Sequence, residues 1–278
     1  MFLNLDLLKQ NPNFRLLFLG QIISFLGSMI SYVAVPYQVY QISKSSLMVG
    51  ALGTVQLVPV LVFGLIGGAY ADRLDRRKLL IVSEGLMSVG VLGFFLNSLQ
   101  AEPSLLGVFV LTAILQSINA FHRPAMEALT QAIVSSDQYP AAAALSSLRH
   151  SVGAIAGPAL GGILISTLGI EIAYLIDFAT FLVAMICIFF MKVSSKPKLS
   201  SNEESPLKSI GESLQYAYRK PELMGTYIVD IVAMTFAFPT ALFPAMAESW
   251  GGAKAAGILY SSMSIGSLVV ALFSRWTE

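Results

Sequence analysis

Eight apolar stretches follow one another along this chain, and three of the links between them are only three to five residues long. The stretches are 14–41, 47–71, 79–99, 104–122, 146–168, 172–191, 223–246 and 254–275. A helix needs about 20 apolar residues to cross the hydrocarbon core of a bilayer, and each stretch is about that long or longer. An open sheet in lipid would leave edge N–H and C=O groups unpaired, whereas a helix pairs its own. The expected fold class is therefore an all-α polytopic membrane protein. Composition agrees, with 55% hydrophobic residues and 12% charged, against about 25% charged in a soluble domain. The first stretch starts near Phe14 and runs too long for a signal h-region, so it is expected to stay as a spanning helix.

The bases set the direction, because cytoplasmic loops collect Lys and Arg. With the N-terminus inside, every Lys and Arg except Lys44 and Lys254 falls on the inner side. A wrong span count would scramble that asymmetry. The polar segment Lys192–Pro206 (KVSSKPKLSSNEESP) divides six spans from two. The expected organisation is a six-helix bundle over 1–191, a cytoplasmic linker over 192–222 and a partial bundle over 223–278. Leu207–Arg219 reads as a helical lead-in to the seventh span.

The same composition excludes several functions. A single cysteine, Cys187, allows no disulfide within the chain, and His122 and His150 show no metal-ligand spacing. No glycine-rich phosphate loop followed by Lys-Ser/Thr occurs, so no ATP site is expected. With a net charge of +1 nothing points to nucleic acid. Both histidines are expected at helix ends, remote from any activated serine, so enzyme chemistry is not expected, nor is a cofactor.

Stretches seven and eight resemble a second copy of one and two. Pro12 matches Pro221, Pro36 matches Pro244 and Gly50 matches Gly257, at offsets of 209, 208 and 207. Repeated halves are a common transporter plan. On that plan four more helices complete the second half, and they are expected from the full-length chain. The alternative is a non-functional or regulatory transporter fragment without them.

Between stretches two and three the chain reads GAYADRLDRRKLL, from Gly68 to Leu80. Gly68, Asp72, Arg73, Arg76 and Arg77 are similar to the signature loop of the major facilitator superfamily, with Asp75 standing where a glycine is usual. In the fifth span Gly153, Gly157-Pro158 and Gly161-Gly162 resemble the motif of exporters and antiporters in that superfamily. The opening LNLDLLKQNPNFRLLFLGQIIS, the hairpin at Glu102-Pro103-Ser104 and the stretch FPAMAESW resemble its siderophore (enterobactin) exporter branch and the macrolide-efflux relatives. The resemblance implies a secondary active transporter in the bacterial inner membrane. It would export a small organic molecule by alternating access, driven by the proton gradient, with the hinge acids and bases acting as a conformational latch.

Charges inside spans tend to face a cavity or a partner. Asp230, near the middle of the seventh span, is the first expected proton carrier, and Asp177 in the sixth is the second. Glu84 is expected to be structural, paired with Arg149 or with a hinge base. Gln21, Ser24, Ser28 and Tyr32 form a stripe on the first span at three- and four-residue steps. With Asn119 and Arg149 they are the expected polar lining of a substrate site.

Overall fold

The computed structural model describes residues 5–193, 215–216, 218–237 and 239–273, with the side chains of 65–73, 234–237 and 271–273 outside the description. Of the expected helix over 207–219, residues 207–214 and 217 lie outside the described residues. Ten α-helices make up the described fold. They are α1 (Asp6–Gln10), α2 (Pro12–Ser43), α3 (Ser46–Arg73), α4 (Arg76–Ser98), α5 (Leu105–Ile133), α6 (Tyr139–Leu168), α7 (Ile170–Phe189), α8 (Pro221–Ala237), α9 (Phe243–Trp250) and α10 (Ala253–Phe273). No strand occurs among the described residues, and seven helices there are long and apolar enough to cross a membrane. The chain is an all-α polytopic membrane protein.

Local chemistry starts and stops these helices. Asn11 caps α2 by accepting from the Phe14 N–H at 3.0 Å, with Pro12 in the first helical position, where its missing N–H costs nothing. Ser104 caps α5 through the Gly107 N–H. A single residue, Gly169, joins α6 to α7 at φ +91°, a backbone that L side chains rarely adopt.

Two expectations need correction. The stretch 223–246 is not one helix: α8 ends at Ala237, a 3₁₀ turn follows at Thr240–Leu242, and α9 starts at Phe243. Pro239 cannot donate to continue the ladder, while Pro244 sits in the first turn of α9, where no donor is needed. Second, α5 and α6 extend well past the apolar limits of 122 and 146. Most of the expected cytoplasmic loop between them is helix, because its residues (HRPAMEALTQAI, then YPAAAALSSL) pair their own backbones as readily as apolar ones.

The bundle has two ends. One holds Lys44, the α6–α7 junction and the α9–α10 turn; the other holds the hinge, the start of α2 and the ends of α5 and α7. α2 is central. It packs on α7 through Gly20, where a Cβ would lie 3.0 Å from that of Cys187 and 3.2 Å from the Ala184 Cα, and through Gly27, where it would collide with Thr180. α6 lies on another face of α2, and α10 lies on α6.

Candidate functional site

α2 carries a buried polar stripe, Gln21, Ser24, Ser31 and Gln38. Steps of three and seven keep these residues on one side of a helix. Each meets a partner from another helix. The Gln21 side-chain amide donates to Glu84 Oε1 at 2.6 Å, and the Ser24 hydroxyl lies 3.5 Å from Oε2. The Ser31 hydroxyl donates to Asp177 Oδ2, whose other oxygen meets the Thr180 hydroxyl. The Tyr174 hydroxyl donates to Gln38 Oε1 at 2.7 Å.

Glu84 and Asp177 are the acids this stripe serves. Glu84 is 0% exposed and Asp177 1%. Nε2 of His122 on α5 stands 2.9 Å from Glu84 Oε1, so the Glu84 carboxylate is held from α2 and α5 at once. Here the expected partners are corrected. Glu84 pairs with Gln21, Ser24 and His122, and among the described side chains neither Arg149 nor a hinge base is bonded to it. His122 is not at a helix end, because α5 runs on to Ile133, about three turns further.

The other expected site residues spread over the bundle. Ser28 is half-buried. Tyr32 is exposed toward α10, where its ring meets that of Tyr260 edge-on at 5.2 Å. Asn119 is exposed and bonds Gln116. Asp230 is exposed on α8. The Arg149 guanidinium lies 5.8 Å from the centre of the Phe25 ring and 3.4 Å from the Met126 sulfur. His150 tilts onto the same ring at 5.2 Å. A cavity of about 420 Å³ opens at the hinge end, lined among others by Phe18, Gln21, Met126, Glu127, Tyr139 and Arg149. Gln21 therefore touches both that cavity and Glu84.

Arg76 and Arg77 tie the hinge to its neighbours. Arg76 donates to the Ala128 carbonyl on α5, and Arg77 donates to the carbonyls of Ile188 and Phe189 at the end of α7. Those last carbonyls have no partner within their own helix and attract cations. Asp75 accepts from the Arg77 and Lys78 N–H groups and caps α4, a use for the acid that stands in place of the usual glycine. The side chains of Gly68, Asp72 and Arg73 fall outside the described residues.

The glycines of α6 divide their work. A Cβ on Gly153 would strike the Phe25 ring, one on Gly157 the Met29 Cβ, and one on Gly161 would lie 3.2 Å from the Ile30 backbone. All three face α2. Gly162 faces α10 instead, where a Cβ would lie 2.7 Å from the Ala253 carbonyl and 2.8 Å from the Gly257 Cα. In return, a Cβ on Gly257 would lie 2.6 Å from the Pro158 carbonyl. One turn on, the Ser261 hydroxyl donates to the Ile155 carbonyl at 3.0 Å. α6 thus contacts α2 and α10 backbone to backbone.

That end is also clasped by charge. Lys44 Nζ lies 2.7 Å from Glu248 Oε1 on α9, and the Lys44 ammonium lies over the Tyr40 ring. The hydrogen bond from Lys44 holds the Glu248 carboxyl below its ordinary range, and the same bond pushes the Lys44 ammonium up. Sequence reasoning missed Ser31, the His122–Glu84 contact and this clasp, whereas Gln38 was among the polar residues expected to face a pocket. The period of the α2 stripe was a signal for Ser31.

Comparison with known proteins follows the same lines. The family described as transmembrane secretion effector matches residues 8–276. The enterobactin exporter EntS of Citrobacter koseri is 30% identical over 98% of this chain and 65% of its own length. The enterobactin exporters EntS of Shigella boydii serotype 18 and Escherichia coli O1:K1 are 30% and 29% identical over the same shares. The chain thus spans a little under two thirds of the length of these relatives.

Proposed function

The chain belongs to the transmembrane secretion effector family of the major facilitator superfamily, and on that premise we propose that the protein its gene encodes exports a small organic molecule across the bacterial inner membrane by alternating access, driven by proton influx. The N-terminus and the hinge face the cytoplasm, and the Lys44 end faces outward. The contact between α6 and α10 carries the proposal. The glycines of α6 bring a helix of the first six against a helix from beyond the linker at the outer end, where the Lys44–Glu248 pair adds a clasp. At the inner end a cavity lies beside Arg149. A bundle joined at its outer end takes its cargo from the inner side. Rocking about the central helices reverses the two.

The cavity suits an amphipathic or anionic molecule. Phe14, Leu17 and Phe18 provide apolar walls, and Gln21 and Arg149 provide donors. Enterobactin, named for the relatives, is the first probe to try. Everted vesicles carrying the protein should accumulate it when energised, and an uncoupler should abolish that accumulation. Accumulation that survives the uncoupler overturns proton antiport; failure to transport enterobactin redirects the search to other amphipathic molecules such as macrolides.

A further inference from the structure

Glu84 and His122 are an acid and a base held together inside a membrane bundle. A buried ion pair adds little net stability compared with apolar residues of the same size, and ionisable groups at membrane depth are expensive to keep. Packing alone therefore does not account for the pair. Its geometry has a definite consequence. Glu84 Oε1 accepts from Gln21 at 2.6 Å and faces His122 Nε2 at 2.9 Å, and Ser24 approaches Oε2. The imidazole and the carboxylate therefore compete for one proton along one contact. With no added proton the pair carries a charge of −1; with one, on either group, it is neutral. That change of one charge, at a site reached from the hinge-end cavity through Gln21, is what a proton-coupled transporter must perform.

We propose that Glu84 and His122 together form the proton-carrying site of this bundle. The proposal rests on the antiport function proposed above. The proton comes from water and returns to water on the opposite side, and no other bond changes. The surroundings are defined. α2 contributes the neutral Gln21 and Ser24. α3 contributes no charge among its described side chains. α7 contributes Asp177, within electrostatic range of Glu84. On α6, Arg149 lies across the Phe25 ring from α2. The hinge bases Arg76 and Arg77 start α4 itself and are engaged with the carbonyls of α5 and α7. Asp177 has its own donors, Ser31 and Thr180, so it modulates the pair and does not share its proton.

Two measurements on the protein as its gene encodes it test this. The first needs no transport. With labelled histidine, the His122 NMR resonance is followed from about pH 5 to pH 8, where imidazoles change charge. It should respond to pH in the wild type, and Glu84→Gln should change that response. A resonance that does not move in the wild type, or whose response is the same in Glu84→Gln, overturns the proposal. The second uses everted vesicles with enterobactin as probe and an imposed gradient of about one pH unit, which one coupled proton converts to about tenfold accumulation. Glu84→Gln, which keeps the hydrogen bonds and loses the proton, should lose that accumulation. Glu84→Asp, which keeps a titratable group, should retain part of it. Equal behaviour of the two variants means a structural role and sinks the pair as carrier. Should the wild type show no accumulation of enterobactin, that molecule is not the cargo; should it accumulate enterobactin without regard to the gradient, the antiport function fails; in either case the titration alone decides whether the pair binds a proton.

Discussion

Replacing Gly162 by alanine puts a methyl group where α6 and α10 leave no room for one. The added carbon would lie 2.7 Å from the Ala253 carbonyl oxygen, 2.8 Å from the Gly257 Cα and 3.0 Å from the Gly257 nitrogen. Ordinary contacts between carbons lie at about 3.5–4.0 Å, and all three neighbours are backbone, so no side chain can swing aside. The helices must part by roughly 1 Å. Overpacking of this kind costs about 1–3 kcal/mol. Alanine also favours a helix over glycine by about 1 kcal/mol. Position 162 stays helical whether or not α10 is in contact, so that gain cancels from the conformational equilibrium. The full overpacking cost then disfavours the joined form, by about 5–150-fold. Disulfide formation between cysteines placed at 44 and 248, whose side chains meet in the joined form, reads that population once Cys187 is replaced by serine. Gly162→Ala should slow cross-linking, by up to the full factor where the joined form is the minority, and Gly257→Ala, which strikes the Pro158 carbonyl, should do the same. Gly53→Ala is the control, since a Cβ there meets nothing within 4 Å. An unchanged rate in Gly162→Ala, or an equal fall in Gly53→Ala, refutes the reasoning.

Three further outcomes are expected. The clasp has a calculable pH window: the depressed Glu248 favours the joined form above its ordinary 4.5 and loses that contribution as pH falls through its bound value, while the raised Lys44 contributes below its ordinary 10.5 and loses it above its bound value. Hydrogen exchange in Phe243–Trp250, corrected for intrinsic rates, should therefore quicken as the pH falls below that ordinary 4.5 and through the bound value, and Glu248→Gln should abolish that step. Arg77→Gln removes charge-assisted bonds to the Ile188 and Phe189 carbonyls, worth about 1.5–3 kcal/mol, and should lower the thermal midpoint; an unchanged midpoint would mean water replaces the guanidinium without loss. Ser31→Ala takes the α2 donor from a carboxylate that is 1% exposed, at a cost of about 1–3 kcal/mol, whereas Asp177→Asn keeps a partner for the hydroxyl and should cost less by the same thermal measure.

The helices themselves were legible in the residue string. Apolar length demanded spans, and the four-residue spacing of Gly153, Gly157 and Gly161 put them on one face, as the structure has them. Each of these is local: a few neighbours along the chain set the period or the kink. Pro239 and Pro244 carried the local signal for the break in 223–246, but the apolar run around them concealed it.

Which polar groups meet was decided elsewhere. Gln21 and Glu84 are 63 residues apart, Glu84 and His122 are 38, and Ser31 and Asp177 are 146. The stripe at 21, 24, 31 and 38 is visible as a face, but its period says nothing of which helix lies opposite. That depends on how far each rod turns about its axis and slides against its neighbours, and glycines 20, 27, 153, 157, 161, 162 and 257 set both by where they let backbones touch. A bundle whose lipid-facing surface is apolar all round leaves the rotation of each helix unmarked in its hydropathy, so only the packed tertiary structure brings one acid to a histidine and the other to a serine.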